Sequence, residues 1–168
     1  MGGATLLQEN RPPRADARGE GVDGLSTGHR LMAAGEYDLA LRAYLRAASE
    51  EGVTVDVLSA IGSANLQLGR LGQAEQILRR ALERDSRFVP ALNNLGVVLM
   101  EQGKAGEARV IFQQAYALDS GQTDAIRENL RLAIAESESA IYDAAQEEEP
   151  RFTLVRRGQG QYELLSRF

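Results

Sequence analysis

From Val22 to Gly121 apolar residues recur three and four positions apart, the spacing that gathers them into one stripe along an α-helix. Leu58, Ile61 and Leu66 share such a stripe, with Leu68 near its end. Gly69 follows and ends the helix, because glycine takes the left-handed conformation there at little cost. A second stripe then begins with Leu71, Ala74, Leu78 and Ala81. The same pair of stripes returns as Leu92, Leu95, Leu99, then Gly103, then Ala108, Phe112 and Ala115. It precedes as Leu31 and Met32, then Gly35, then Tyr37, Ala40, Tyr44 and Ala47. Each series, including Gly28, Gly62 and Gly96, steps by 34 residues. Repeats of this size cannot bury their apolar faces alone, so they stack, and stacking makes an extended concave surface. The pattern therefore predicts an all-α solenoid of three helix-turn-helix repeats, spanning 21–54, 55–88 and 89–122.

Gly62 and Gly96 fall inside helices, where glycine costs about 1 kcal/mol against alanine. Close approach of the paired helix is expected to offset that cost, with Ala40, Ala74 and Ala108 opposite. Residues 123–146 continue as a helix with Ala125, Ile126, Leu130, Leu132, Ala133, Ile134 and Ile141 on its apolar side. A lone extra helix is what the array needs as a cap, and "EEEP" is expected to stop it. Residues 1–21 hold Pro12, Pro13 and four glycines without apolar periodicity, and read as a disordered leader or tether. Residues 147–168 form an acidic linker and tail. There Phe152, Leu154 and Arg156 alternate before Gly158 and Gly160, and Tyr162 and Leu164 alternate after them. This predicts a short C-terminal β-hairpin, which must dock or pair to be stable, since an isolated hairpin is marginal.

Composition narrows the chemistry. Aromatic residues make up only 5% and there is no Trp, so the core is built from Leu, Ala, Val and Ile, which suits closely packed helices. A net charge of −5 argues against a nucleic-acid backbone binder, which would carry a basic stripe. No stretch reaches the length of about 18 apolar residues that spans a membrane. The absence of cysteine removes disulfides, thiolate nucleophiles and cysteine metal sites. A single histidine, His29, leaves little for serine–histidine catalysis or a histidine metal site. The glycines of "GRLGQ" and "GQGQ" lead to no Lys-Ser/Thr and are not phosphate loops. No enzyme activity, cofactor or metal is expected.

The stretch "LNNLGVVLMEQGKAGEARVIFQQAYALDS" resembles a tetratricopeptide repeat, with "IGSANLQLGRLGQAEQILRRAL" and "GHRLMAAGEYDLALRAYLRAA" as the preceding copies. It departs from the family where Gly24, Leu58 and Leu92 stand for a Trp, and where Gly52, Ser86 and Ser120 stand for a Pro. The resemblance implies a concave groove lined by the first helix of each repeat. Its lining would be Leu25, His29 and Met32; Ser59, Ser63, Leu66 and Gln67; and Asn93, Val97, Met100 and Glu101, with Arg127, Arg131 and Ile134 from the cap. This mixture of apolar centres with amide, hydroxyl and cationic groups suits an extended or helical segment of a partner protein, with Asn93 bonding its backbone. The clamp that some family members use for a chaperone's C-terminal carboxylate needs paired Lys and Asn. Here Leu25, His29, Ser59 and Ser63 occupy those places, so that mode is not expected.

The order of elements also looks like the repeat lipoproteins of Flp-type (tight-adherence) pilus assembly in bacteria. That likeness implies a periplasmic protein on an outer-membrane lipid anchor that helps assemble a secretin or pilus. Met1 would then be an added start after a removed segment. The alternative expectation is a cytosolic adaptor or regulatory domain.

Overall fold

A computed structural model describes residues 23–148, 152–157 and 161–166. The expected leader at 1–21 lies outside the described residues. Seven helices follow in order: α1 (Gly24–Ala33), α2 (Tyr37–Glu51), α3 (Val55–Gln67), α4 (Leu71–Arg84), α5 (Val89–Glu101), α6 (Ala105–Asp119) and α7 (Asp124–Glu148). Two strands, β1 (Phe152–Arg157) and β2 (Gln161–Ser166), pair antiparallel with Phe152 opposite Ser166. The residues joining them, and the strands' side chains, lie outside the described residues.

The turns inside the repeats have one construction. Gly69 has φ +72°. Its N–H donates to the Leu66 carbonyl (3.0 Å), and the Arg70 N–H reaches back to the Asn65 carbonyl (2.9 Å). These two bonds satisfy the last carbonyls of α3, and the left-handed residue turns the chain directly into α4. Gly35 and Gly103 repeat the arrangement in the other two hairpins. Between repeats the chain uses other devices. The Thr54 hydroxyl caps α3 by accepting from the Val57 N–H (3.2 Å). The Asp85 carboxylate accepts from the Arg87 N–H (2.9 Å) after α4.

Helices α1, α3, α5 and α7 form an inner row, and α2, α4 and α6 an outer one. Neighbours within the inner row touch: α1 with α3, α3 with α5, and α5 with α7. Among the described residues, the backbones of the outer helices stay apart, and α4 and α6 meet through the Arg79–Glu107 side chains (3.6 Å). Small residues explain the difference, since Gly62, Ala60, Ala64 and Ala91 are all buried on the inner helices and let their backbones crowd. A row that is tight inside and splayed outside curves, and the inner row becomes the concave face. Beneath it one buried cluster gathers around Tyr44 and Ile61, a larger one runs from Leu78 through Leu95, Leu99 and Phe112 to Ala133, and partly buried Ile77 packs against both.

The expectation that Ala40, Ala74 and Ala108 face the helical glycines needs correction. Those alanines are fully buried, but the large residue one turn later is what seats on each glycine. A Cβ on Gly62 would lie 2.5 Å from Leu78 Cγ. At Gly28 and Gly96 it would collide with the rings of Tyr44 and Phe112. The glycine is a socket for a large side chain, rather than one half of a small–small contact.

Candidate functional site: the concave groove

The concave face opens into three adjoining cavities. The first, about 240 Å³, lies between α1, α3 and the start of α5. His29, Met32, Ser59 and Ser63 line it, joined by Tyr44, Asp56, Phe88, Pro90 and Asn94. The second, about 330 Å³, lies between α5 and α7 and is lined by Val97, Met100, Glu101, Phe112, Asn129, Leu132 and Glu136. A third, about 260 Å³, holds Leu66, Gln67 and Leu71, and shares Val97 and Glu101 with the second. A further cavity of about 370 Å³ lies on the outer face between α4 and α6, lined by Leu82, Glu83, Ile111 and Gln114. Its size does not make it the stronger site, because its floor is the packing of Leu92 and Leu95 and it lacks buried polar groups.

The first cavity has such groups. Ser59 is 4% exposed and Tyr44 is 1% exposed, yet both line it. Among the described residues, neither hydroxyl has a hydrogen-bond partner, and neither oxygen is sealed from the cavity. Tyr44 sits over Gly28 and meets the edge of His29, with ring centroids 5.6 Å apart. Burial pushes the Tyr44 phenol up to about 12, so it remains a neutral hydroxyl throughout the physiological range. Sequence periodicity assigns Tyr44 and Phe112 only to packing. Each ring seats on a glycine of an inner helix and so lies at the floor of a cavity while staying buried.

Three expected groove residues are otherwise engaged. The Asn93 Oδ1 accepts from Asn129 Nδ2 at 3.0 Å, tying α5 to α7, so its amide oxygen is committed within the chain. Arg127 pairs with Asp124 and donates to the Gly121 carbonyl (2.6 Å). Arg131 pairs with Glu128 at 2.7 Å. Both cations are satisfied on or beside α7, and neither lines any of these cavities. Spacing placed them on the correct helix, but i,i+3 partners draw them aside. The additional groove residues Asp56, Asn94 and Glu136 carried no periodic signal, since only the curvature of the array turns them inward.

Electrostatics distinguish the groove from the outer surface. Glu75 on α4 accepts from Gln102 Nε2 (2.9 Å) and pairs with Arg79 (2.8 Å) and Lys104 (3.6 Å). The Gln102 amide first, then Arg79, holds its carboxyl below the usual range. In the groove, Asp56, Glu101 and Glu136 have no ion-pair partner among the described residues. The described residues also contain no cluster of potential metal ligands, and no helix long and apolar enough to cross a membrane.

Paired helices stacked in one superhelical row, with a segment-wide groove on the inner side, define an α-solenoid of helical-hairpin repeats. The tetratricopeptide repeat family matches residues 25–87 and 73–123, more than half of the sequence. The chain belongs to that family. No curated protein matches it. Among solved structures, the tetratricopeptide domain of Sgt2 from Aspergillus fumigatus is similar, with TM-score 0.65 at 22% identity over 82% of this chain and 89% of that one. The second such domain of human RPAP3, solved with the HSP70 peptide SGPTIEEVD, gives TM-score 0.59 at 20% identity over 67% and 92%. The TPR2B domain of yeast Sti1, in complex with pHsp70, gives 0.61 at 18% identity over 69% and 94%.

Proposed function

We propose that this chain is a non-enzymatic protein-interaction scaffold that takes an extended or helical segment of a partner protein in its concave groove. The observation that carries this reading is the row of adjoining cavities along the inner helices, with apolar walls and two buried hydroxyls facing the first of them. A cleft with such walls and a few fixed polar groups suits a peptide better than a flat partner surface. The solved neighbours that hold chaperone peptides support the same use of the fold. Assistance in bacterial pilus or secretion-system assembly, from a lipid-anchored position in the periplasm, is the finer part of the proposal. It rests on the order of elements described in the sequence.

A photo-crosslinking residue placed at Ser63, in the groove, should capture a defined partner in the native cell, and Ser63→Arg should abolish its co-purification. The same crosslinker at Glu83, on the outer face, should not capture it. Identical capture from both positions would reject groove binding. A partner outside the pilus and secretion machinery would reject the assembly role alone.

A further inference from the structure

The groove's charges decide what kind of segment it accepts. Asp56 opens onto the first cavity, and Glu101 and Glu136 onto the second. The two arginines nearest on α7 are neutralised by Asp124 and Glu128. Helix stability does not account for Glu101. It is the last residue of α5, where the helix dipole is negative and an acid is disfavoured, and no basic residue stands in that turn. The negative end of α5 therefore lies at Glu101 itself. Carboxylate and helix dipole there reinforce each other. The first cavity adds an independent observation: Ser59 and Tyr44, both more than nine-tenths buried, line it, and their hydroxyls have no hydrogen-bond partner among the described residues and can accept hydrogen bonds there.

We infer that the groove selects a cationic, apolar-interleaved peptide segment of another protein. Its basic side chains face Glu101 and Glu136 at one end, and Asp56 with the Ser59 and Tyr44 hydroxyls at the other. Its apolar side chains lie between, on Met32, Val97 and Met100. This rests on the groove-binding reading above and goes beyond it, because the preference is opposite in sign to the acidic SGPTIEEVD peptide held by the human RPAP3 domain. Salt bridges formed in a partly desolvated groove set specificity and on-rate as much as affinity.

The test measures fluorescence anisotropy of three labelled peptides with the full chain: alternating Arg-Leu, alternating Glu-Leu, and SGPTIEEVD. The Arg-Leu peptide should bind, and should weaken about tenfold as salt rises from roughly 0.05 to 0.5 M. Glu101→Gln with Glu136→Gln should weaken it by about tenfold, and Asp56→Asn further. Because the chain is acidic overall, Glu50→Gln with Glu83→Gln serves as a control of equal charge and should leave binding unchanged. Equal losses in both double variants would overturn the inference, since attraction would then be non-specific. Tighter binding of either acidic peptide, lost in Ser63→Arg, would overturn the charge assignment while leaving groove binding intact. Arg-Leu binding indifferent to Ser63→Arg would overturn both. Binding that appears only in a chain carrying Arg156→Glu and Arg157→Glu would identify the occupant as this chain's own basic tail, and would overturn the partner assignment.

Discussion

One added methyl group should have opposite effects at two helical glycines. Gly62 lies under Leu78, and an added Cβ would come within 2.6 Å of Leu78 Cδ2 as well as 2.5 Å of Cγ. Gly72 is also helical, but an added Cβ there meets nothing within 4 Å. Gly62→Ala should therefore destabilise the fold by about 1–3 kcal/mol, because overpacking outweighs the gain in helix propensity. Gly72→Ala should stabilise it, by a few tenths up to about 1 kcal/mol. Urea denaturation of both variants measures the pair, and shifts of the same sign would contradict the socket geometry. The repeat spacing revealed that Gly62 matters. It did not reveal the partner, because Ala74 and Leu78 both lie on the same stripe of α4 and only the packed pair shows which one meets the glycine.

At the scale of elements, Glu75 joins the outer helix α4 to the turn that begins α6. Its contacts with Gln102 and Lys104 cross from one repeat to the next, and Arg79 extends the chain of charges to Glu107 at 3.6 Å. The Glu75 carboxyl is held below its ordinary value of 4.5 in the folded state. A lowered folded value means that the stabilisation is present above the unfolded value, and is lost as pH falls through the folded one. Stability of the wild type should thus fall more steeply than that of Glu75→Gln as pH drops from about 5 to about 3. Equilibrium unfolding at several pH values tests this, and parallel curves would show that the network does not couple the repeats. The Gln102 and Lys104 partners were not legible in the sequence, since they are far along the chain and hydrogen-bond geometry has no periodicity.

For the whole molecule, α7 decides where the array stops. Continuing the 34-residue step places Leu130 where the earlier inner helices have glycine, and Ser137 where they have the turn glycine. With Leu130 there is no socket for another outer helix. With Ser137, which donates to the Ile134 carbonyl at 2.9 Å, the helix runs on to Glu148. One side of α7 is buried through Ile126, Ala133 and Ser137, while its other side carries charge. A chain ending at Thr123 would uncover the inner face of α5 and the side of α6. It should melt at least about 5 °C lower and show concentration-dependent scattering. An unchanged melting curve with a monomeric profile would remove α7's role as a cap.

The sequence by itself determined the repeat, the helices and their turns, because these follow from local periodicity and from glycine's conformational freedom. Which helices line the groove came from the family resemblance, since periodicity gives both helices of a repeat an apolar stripe and does not say which lies inside. Tertiary structure alone decided which side chains remain available there. Arg127, Arg131 and Asn93 had the right positions but found partners within the chain. Tyr44, Asp56 and Glu136 became groove residues through curvature and close packing, which depend on contacts between repeats rather than on any spacing within one.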